Sequence, residues 1–151
     1  MELIVLCGIP AAGKTTFYRE RFLATHVRIS LDLLKTRERE DILLHACFAA
    51  KQPAVIDNTN ATAAQRTRYV KLAHAAGFRA VLYFFDVSTR TAVGRNSGRG
   101  GKERVPNVAI FGTQKKLQRP TRDEGFDEMF RVTTGDENAA AAFVVEPWPD
   151  S

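Results

Sequence analysis

Eight residues near the N-terminus carry the strongest chemical signal in the chain. Gly8-Ile9-Pro10-Ala11-Ala12-Gly13-Lys14-Thr15 matches G-x-x-x-x-G-K-[ST], with an apolar run before it and a helical pattern after it. The backbone from Gly8 through Ala11, Ala12 and Gly13 to Thr15 and Thr16 is expected to wrap a β-phosphate, helped by the positive end of the helix that follows. Lys14 would reach the β- and γ-phosphates, and the Thr15 hydroxyl would ligate Mg²⁺. A plain glycine turn between strand and helix is the alternative, but it explains neither the lysine nor the threonine in register.

Four further groups have types and positions suited to phosphate chemistry. Asp57 closes the apolar run Ala54-Val55-Ile56, where a carboxylate can hold a metal or merely turn the chain. Asp32 follows a short strand and is placed either to accept a proton from an attacking hydroxyl or to cap a helix, a role Ser30 fills equally well. Lys35 and Arg37 read as solvated helix charges or as contacts to an acceptor phosphate. Arg95 and Arg99 lie one helical turn apart beside glycines, as surface charges or as guanidinium groups that a closing loop carries onto the transferring phosphoryl group.

The elements that must position these residues alternate. Strands are predicted at Leu3 to Cys7, Val27 to Ile29, Ala54 to Asp57, Phe78 to Phe85 and Met129 to Val132. Helices are predicted from near Gly13 to about Ala24, over Glu38 to Ala50, from a Thr62/Gln65 capping box to Ala76, from Ser88 or Thr89 towards Asn96, and from Pro106 to about Leu117. Gly98-Arg99-Gly100-Gly101 reads as a mobile loop within a lid spanning about 95–105. Ala139 to Ala142 reads as helix or linker, and Phe143-Val144-Val145 as a further edge strand. Alternation of this kind gives an α/β P-loop three-layer sandwich, with a mostly parallel sheet of about five strands and helices on both faces. The loops after Cys7, Ile29, Ile56 and Phe85 then converge on one site at the carboxyl ends of the strands.

With 151 residues, 44% of them hydrophobic, the chain suits a single domain spanning 1–151. Net charge is +5, but Arg90 to Arg122 holds nine Lys/Arg against Glu103 alone, a local +8, and the remainder nets −3. Attraction for a polyanion is therefore expected from one segment. Cys7 and Cys47 match no zinc or redox spacing and read as small buried hydrophobes in a reducing cytoplasmic compartment. The apolar N-terminal run is too short for a signal peptide or a bilayer span, so no membrane partner is expected. His26, His45 and His74 are too scattered to form a ligand set.

The ordered set of motifs resembles the polynucleotide 5′-kinase family, the kinase module of phage and animal end-repair enzymes. The resemblance rests on Gly8 to Thr16, Asp32, Ile56-Asp57-Asn58-Thr59-Asn60, Arg95-Asn96-Ser97-Gly98-Arg99-Gly100, Arg104-Val105-Pro106 and Pro120-Thr121 to Gly125-Phe126. It implies ATP and Mg²⁺ as cofactors, a nucleic-acid 5′-hydroxyl as acceptor, Asp32 as general base, Lys14 and Arg99 as stabilisers of the transferring group and Arg95 on the donor phosphates. Lys35, Arg37, Asn58 and Thr59 are implied on the acceptor side, with the metal held by Thr15 and Asp57. Two departures stand out. Lys35 takes the place of an arginine in the phage enzyme, and the aspartate motif is offset by one residue, leaving Asp57 and Asn58 to share or exchange their roles. No Asp-x-Asp-Gly-Thr phosphatase motif follows, so kinase activity without end dephosphorylation is expected. A small-molecule kinase of gluconate or shikimate type and a non-enzymatic nucleotide switch are the rival readings.

Overall fold

The computed structural model describes residues 1–101, 104–134 and 143–149. Residues Lys102 and Glu103 of the expected lid, and the helix or linker at Ala139 to Ala142, lie outside the described residues. Six strands form one sheet in the order β2-β3-β1-β4-β5-β6. They are β1 (Glu2–Cys7), β2 (Val27–Ile29), β3 (Ala54–Asp57), β4 (Arg79–Phe85), β5 (Glu128–Thr134) and β6 (Phe143–Pro147). Neighbouring strands from β2 to β5 are parallel, and β6 runs antiparallel to β5. The sheet thus has one strand more than the five full-length runs predicted, the addition being the edge strand anticipated at Phe143.

Strands buried on both faces cannot alternate apolar with polar, and β1 is accordingly a continuous apolar run from Leu3 to Cys7, each residue no more than 1% exposed. One face, with Leu3, Val5, Ile56 and Leu82, packs against α3 (Arg37–Ala50) and α4 (Ala63–Ala75). The other, with Ile4, Leu6, Val55 and Phe85, packs against Phe17 and Tyr18 of α1 (Lys14–Arg21), Ala92 of α5 (Thr89–Ser97) and Ile110 of α6 (Asn107–Lys116). A four-residue helix, α2 (Leu31–Leu34), sits between β2 and α3.

Local signals account for most of the boundaries. Thr62 and Gln65 form the full capping box of α4, and the Ser88 hydroxyl, rather than Thr89, caps α5. Helix α1 stops at Arg21, short of the predicted Ala24, because Phe22 leaves helical geometry and turns in against Phe17. Trp148, which no local pattern places, is buried against Phe84 in the core. Cys7 and Cys47 are buried free thiols, and burial raises the Cys7 pKa to about 11. Among the described residues no helix is long and apolar enough to cross a membrane.

Candidate active site

The phosphate loop leaves β1 through Gly8, whose amide donates to the Thr59 carbonyl at 3.0 Å, tying the loop to the end of β3. A side chain at Gly8 would place its Cβ 2.9 Å from that of Phe85, so the tight exit depends on glycine. Ala11 and Ala12 are buried, with Ala11 in the left-handed region at φ 64°. Gly13, at φ 100°, opens α1 with no side-chain cap, so the first-turn amides are left for a ligand. Thr16 stands half-buried in that turn.

Lys14 lies across this loop. Its Nζ donates to the Gly8 and Ile9 carbonyls at 2.9 and 2.8 Å. Burial lowers its pKa from 10.5 to about 8, Asp57, Cys7 and Asp32 pull it back up, and Arg99 pushes it down. The same ammonium therefore feels the field of three other predicted site residues, contributed by β3, α2 and the loop after α5.

Thr15 Oγ1 donates to Asp57 Oδ2 at 2.9 Å. This pair of hard oxygens fits Mg²⁺, which commonly takes one or two protein oxygens and leaves its other positions to phosphate and water. Among the described residues there is no group of three or more His, Cys, Asp or Glu that could hold a metal by itself.

Asp32 is exposed on α2. That helix is held by Asn58, whose Oδ1 accepts the Leu31 amide at 2.9 Å and whose Nδ2 donates to Glu40 at 3.4 Å. The Asn58 amide thus ties the start of α2, which carries Asp32, to Glu40 of α3, and Thr59 contributes its carbonyl to Gly8. Lys35 is exposed just past α2 at φ 73°. Arg37 is drawn aside: it donates to Glu40 at 3.2 Å and to the Tyr69 hydroxyl at 2.9 Å. Tyr69 donates in turn to Glu40, so buried Glu40 gathers Arg37, Tyr69 and Asn58 around one carboxylate.

Arg95 lies on the start of α1. A Cβ on Gly13 would fall 2.6 Å from Arg95 Nη1, and the guanidinium sits 5.9 Å from the Phe143 ring centre. Burial, then the like charge of Arg99, lowers its pKa. Asn96, fully buried, ties the two ends of the loop after α5 together: it donates to the Val105 carbonyl at 2.6 Å and accepts the Val105 amide at 2.9 Å. The glycine-bearing loop is therefore tied at both stems.

Several of these roles escape a sequence reading. Arg28 contacts both Thr15 and Asp57, and its only sequence signal is a charge inside the apolar strand Val27-Arg28-Ile29. Arg66, fully buried, clamps Glu124 at 2.6 and 2.9 Å and donates to the carbonyls of Asn60, Ala61 and Gln118. It binds the post-β3 loop to the segment before β5, and no local pattern distinguishes it from a surface arginine.

An AAA domain matches residues 3–120 of the chain. The bifunctional polynucleotide phosphatase/kinase of Schizosaccharomyces pombe is 26% identical over 135 residues, covering 87% of this chain and 33% of the relative. The chain thus spans about a third of the length of the curated relatives it matches. Among solved structures, Kti12 of Chaetomium thermophilum in complex with ADP-AlF3 superposes with TM-score 0.64 at 19% identity, covering 90% of this chain and 91% of that one. A gluconokinase from Sinorhizobium meliloti 1021 gives TM-score 0.62 at 17% identity, with 89% and 83% covered. These likenesses establish an α/β P-loop fold shared with kinases.

Proposed function

The chain belongs to the AAA domain family, and from that premise we propose that it is a kinase transferring the γ-phosphoryl group of ATP to the 5′-hydroxyl end of DNA or RNA. The observation that carries the reading is the phosphate loop with Lys14 laid across it, Thr15 bonded to Asp57 and Arg95 against Gly13, with the charges of Asp32 and Arg99 acting on the same ammonium. A phosphate-binding ammonium, a candidate base and a mobile-loop guanidinium in one cleft are the parts that phosphoryl transfer needs. The relative that is named a polynucleotide phosphatase/kinase supports the acceptor class.

In this reading the loop amides and Lys14 hold the triphosphate. Asp32 takes the proton of the acceptor hydroxyl as its oxygen bonds to the γ-phosphorus, the bond to the bridging oxygen breaks, and ADP leaves with that electron pair. Lys14, Arg95 and Arg99 offset the charge shared among the phosphate oxygens. Thr15 and Asp57 would hold Mg²⁺, which would supply further charge neutralisation to the triphosphate. Positioning and electrostatics supply most of the rate.

Transfer of label from ATP to a panel of 5′-hydroxyl oligonucleotides, run beside sugars and other small hydroxyl acceptors, tests the acceptor. Label on the small molecules alone would replace this reading with a small-molecule kinase, and tight ATP binding with no acceptor at all would favour a nucleotide switch. Asp32→Ala is expected to abolish transfer while sparing ATP binding. Near-normal transfer by that variant would remove Asp32 from the mechanism.

A further inference from the structure

Arg28 makes a contact that the transfer chemistry leaves unused. In the β2–β3 register Arg28 pairs with Val55 and Ile29 with Ile56. Side chains alternate along a strand, so Arg28 shares the α1 side of the sheet with Val55 and Asp57. From there its Nε donates to Asp57 Oδ2 at 2.8 Å and its Nη2 reaches Thr15 Oγ1 at 3.4 Å. One guanidinium thus touches both side chains that the cation site needs.

The exposures are unequal. Asp57's side chain is 3% exposed and Arg28's 28%, so the arginine enters from the cleft and covers a carboxylate already sealed on its other sides. A sealed carboxylate without a counter-charge is costly, so this position demands a cation at all times. A second sign points to the same spot. Ser30 continues β2 in extended geometry, φ −139° and ψ 132°, which carries its side chain to the Arg28 and Asp57 side. Its hydroxyl is fully buried and has no hydrogen-bond partner among the described residues. An orphan hydroxyl two residues past Arg28, on the same side of the sheet, marks a polar locus whose partners are not all supplied by the fold.

We propose that Arg28 is the resident counter-ion of the divalent-cation site. Its guanidinium, which stands against Thr15 and Asp57, passes to a phosphate oxygen when a metal arrives on the triphosphate. This rests on the assignment of the metal to Thr15 and Asp57. A bare divalent ion would have to push the guanidinium off Asp57 and give it nothing in return. A metal bound to a triphosphate brings surplus anionic oxygens, which arginine holds in two-pronged fashion as readily as a carboxylate. The consequence is an order of loading: free metal is refused and the metal–nucleotide pair is accepted.

Mn²⁺, followed by its free-ion electron paramagnetic resonance signal, is the probe, with and without ADP. The wild type is expected to take up one Mn²⁺ with ADP and to bind it far more weakly alone. Arg28→Leu and the more conservative Arg28→Gln should bind Mn²⁺ without ADP at least about tenfold more tightly than the wild type. Adding Asp57→Asn should cancel that gain, and Arg28→Lys, which restores a cation, should suppress most of it. If either neutral variant still binds ADP yet holds free Mn²⁺ no more tightly than the wild type, the counter-ion role is wrong while the metal site stands. A wild type that binds Mn²⁺ neither alone nor with ADP would overturn the metal assignment itself, and the Arg28 role with it.

Discussion

Two arginine–carboxylate pairs sit near the carboxyl edge of the same sheet, and they are built differently. Arg66 and Glu124 are 0% and 5% exposed, joined by two short hydrogen bonds, with the guanidinium's other donors taken by backbone carbonyls. Arg28 and Asp57 share one short hydrogen bond, and the arginine is open to the cleft. In the closed pair every donor is satisfied by the protein, so no ligand can gain a contact there, and it serves as a clasp. In the open pair a partner can be exchanged. The same ionic chemistry is structural or functional according to whether its hydrogen-bonding capacity is exhausted.

Breaking the closed pair should have the largest effect. Arg66→Ala leaves Glu124 charged and sealed, and we expect a loss of about 3–5 kcal/mol in urea unfolding. Replacing both partners with apolar residues of similar size, Arg66→Met with Glu124→Leu, should recover much of that loss. A double variant as unstable as the single one would mean that the carbonyl contacts, not the ion pair, carry the clasp.

Lys14 sharpens the contrast, being buried like Arg66 but held by two carbonyls instead of a carboxylate. Its pKa is 10.5 in the ordinary state and about 8 in the fold. Below pH 8 both states are protonated and the full burial penalty is present. Between the two values the unfolded chain binds the extra proton, so stability rises with pH. Relative to Lys14→Met, the wild type should therefore gain on the order of 3 kcal/mol across that interval, read from paired unfolding curves. A gap that stays flat from pH 7 to 10 would show that Lys14 is better solvated than its burial implies.

Opening the second pair should cost less stability than breaking the clasp and affect binding more. Asp57→Asn is expected to lower stability by about 1.5–3 kcal/mol, since the freed Arg28 can turn to water. It should also remove the metal dependence of ADP affinity measured by calorimetry. Smallest of all should be the exposed pair Arg79 and Glu128, 55% and 50% exposed at 3.2 Å, where Arg79→Ala should shift stability by about 0.2–1 kcal/mol. A larger change there would mean that exposure is a poor guide to which pairs matter.

The phosphate loop was legible in the sequence because its chemistry is local. Gly8 to Thr15 supplies turn, amides, ammonium and hydroxyl within one covalent stretch, and the apolar run before it fixes a buried strand. The capping box at Thr62 and Gln65 was readable for the same reason, and so was the alternation that yields a parallel sheet. Arg28, Arg66 and Glu40 were not. Arg28 meets Asp57 across 29 positions and Arg66 meets Glu124 across 58. Whether an arginine is a solvated surface charge, a clasp or an exchangeable counter-ion depends on which strands lie side by side and how much water remains around it. Residue type sets what a side chain can donate; only the assembled sheet decides what it can reach and whether anything is left over for a ligand.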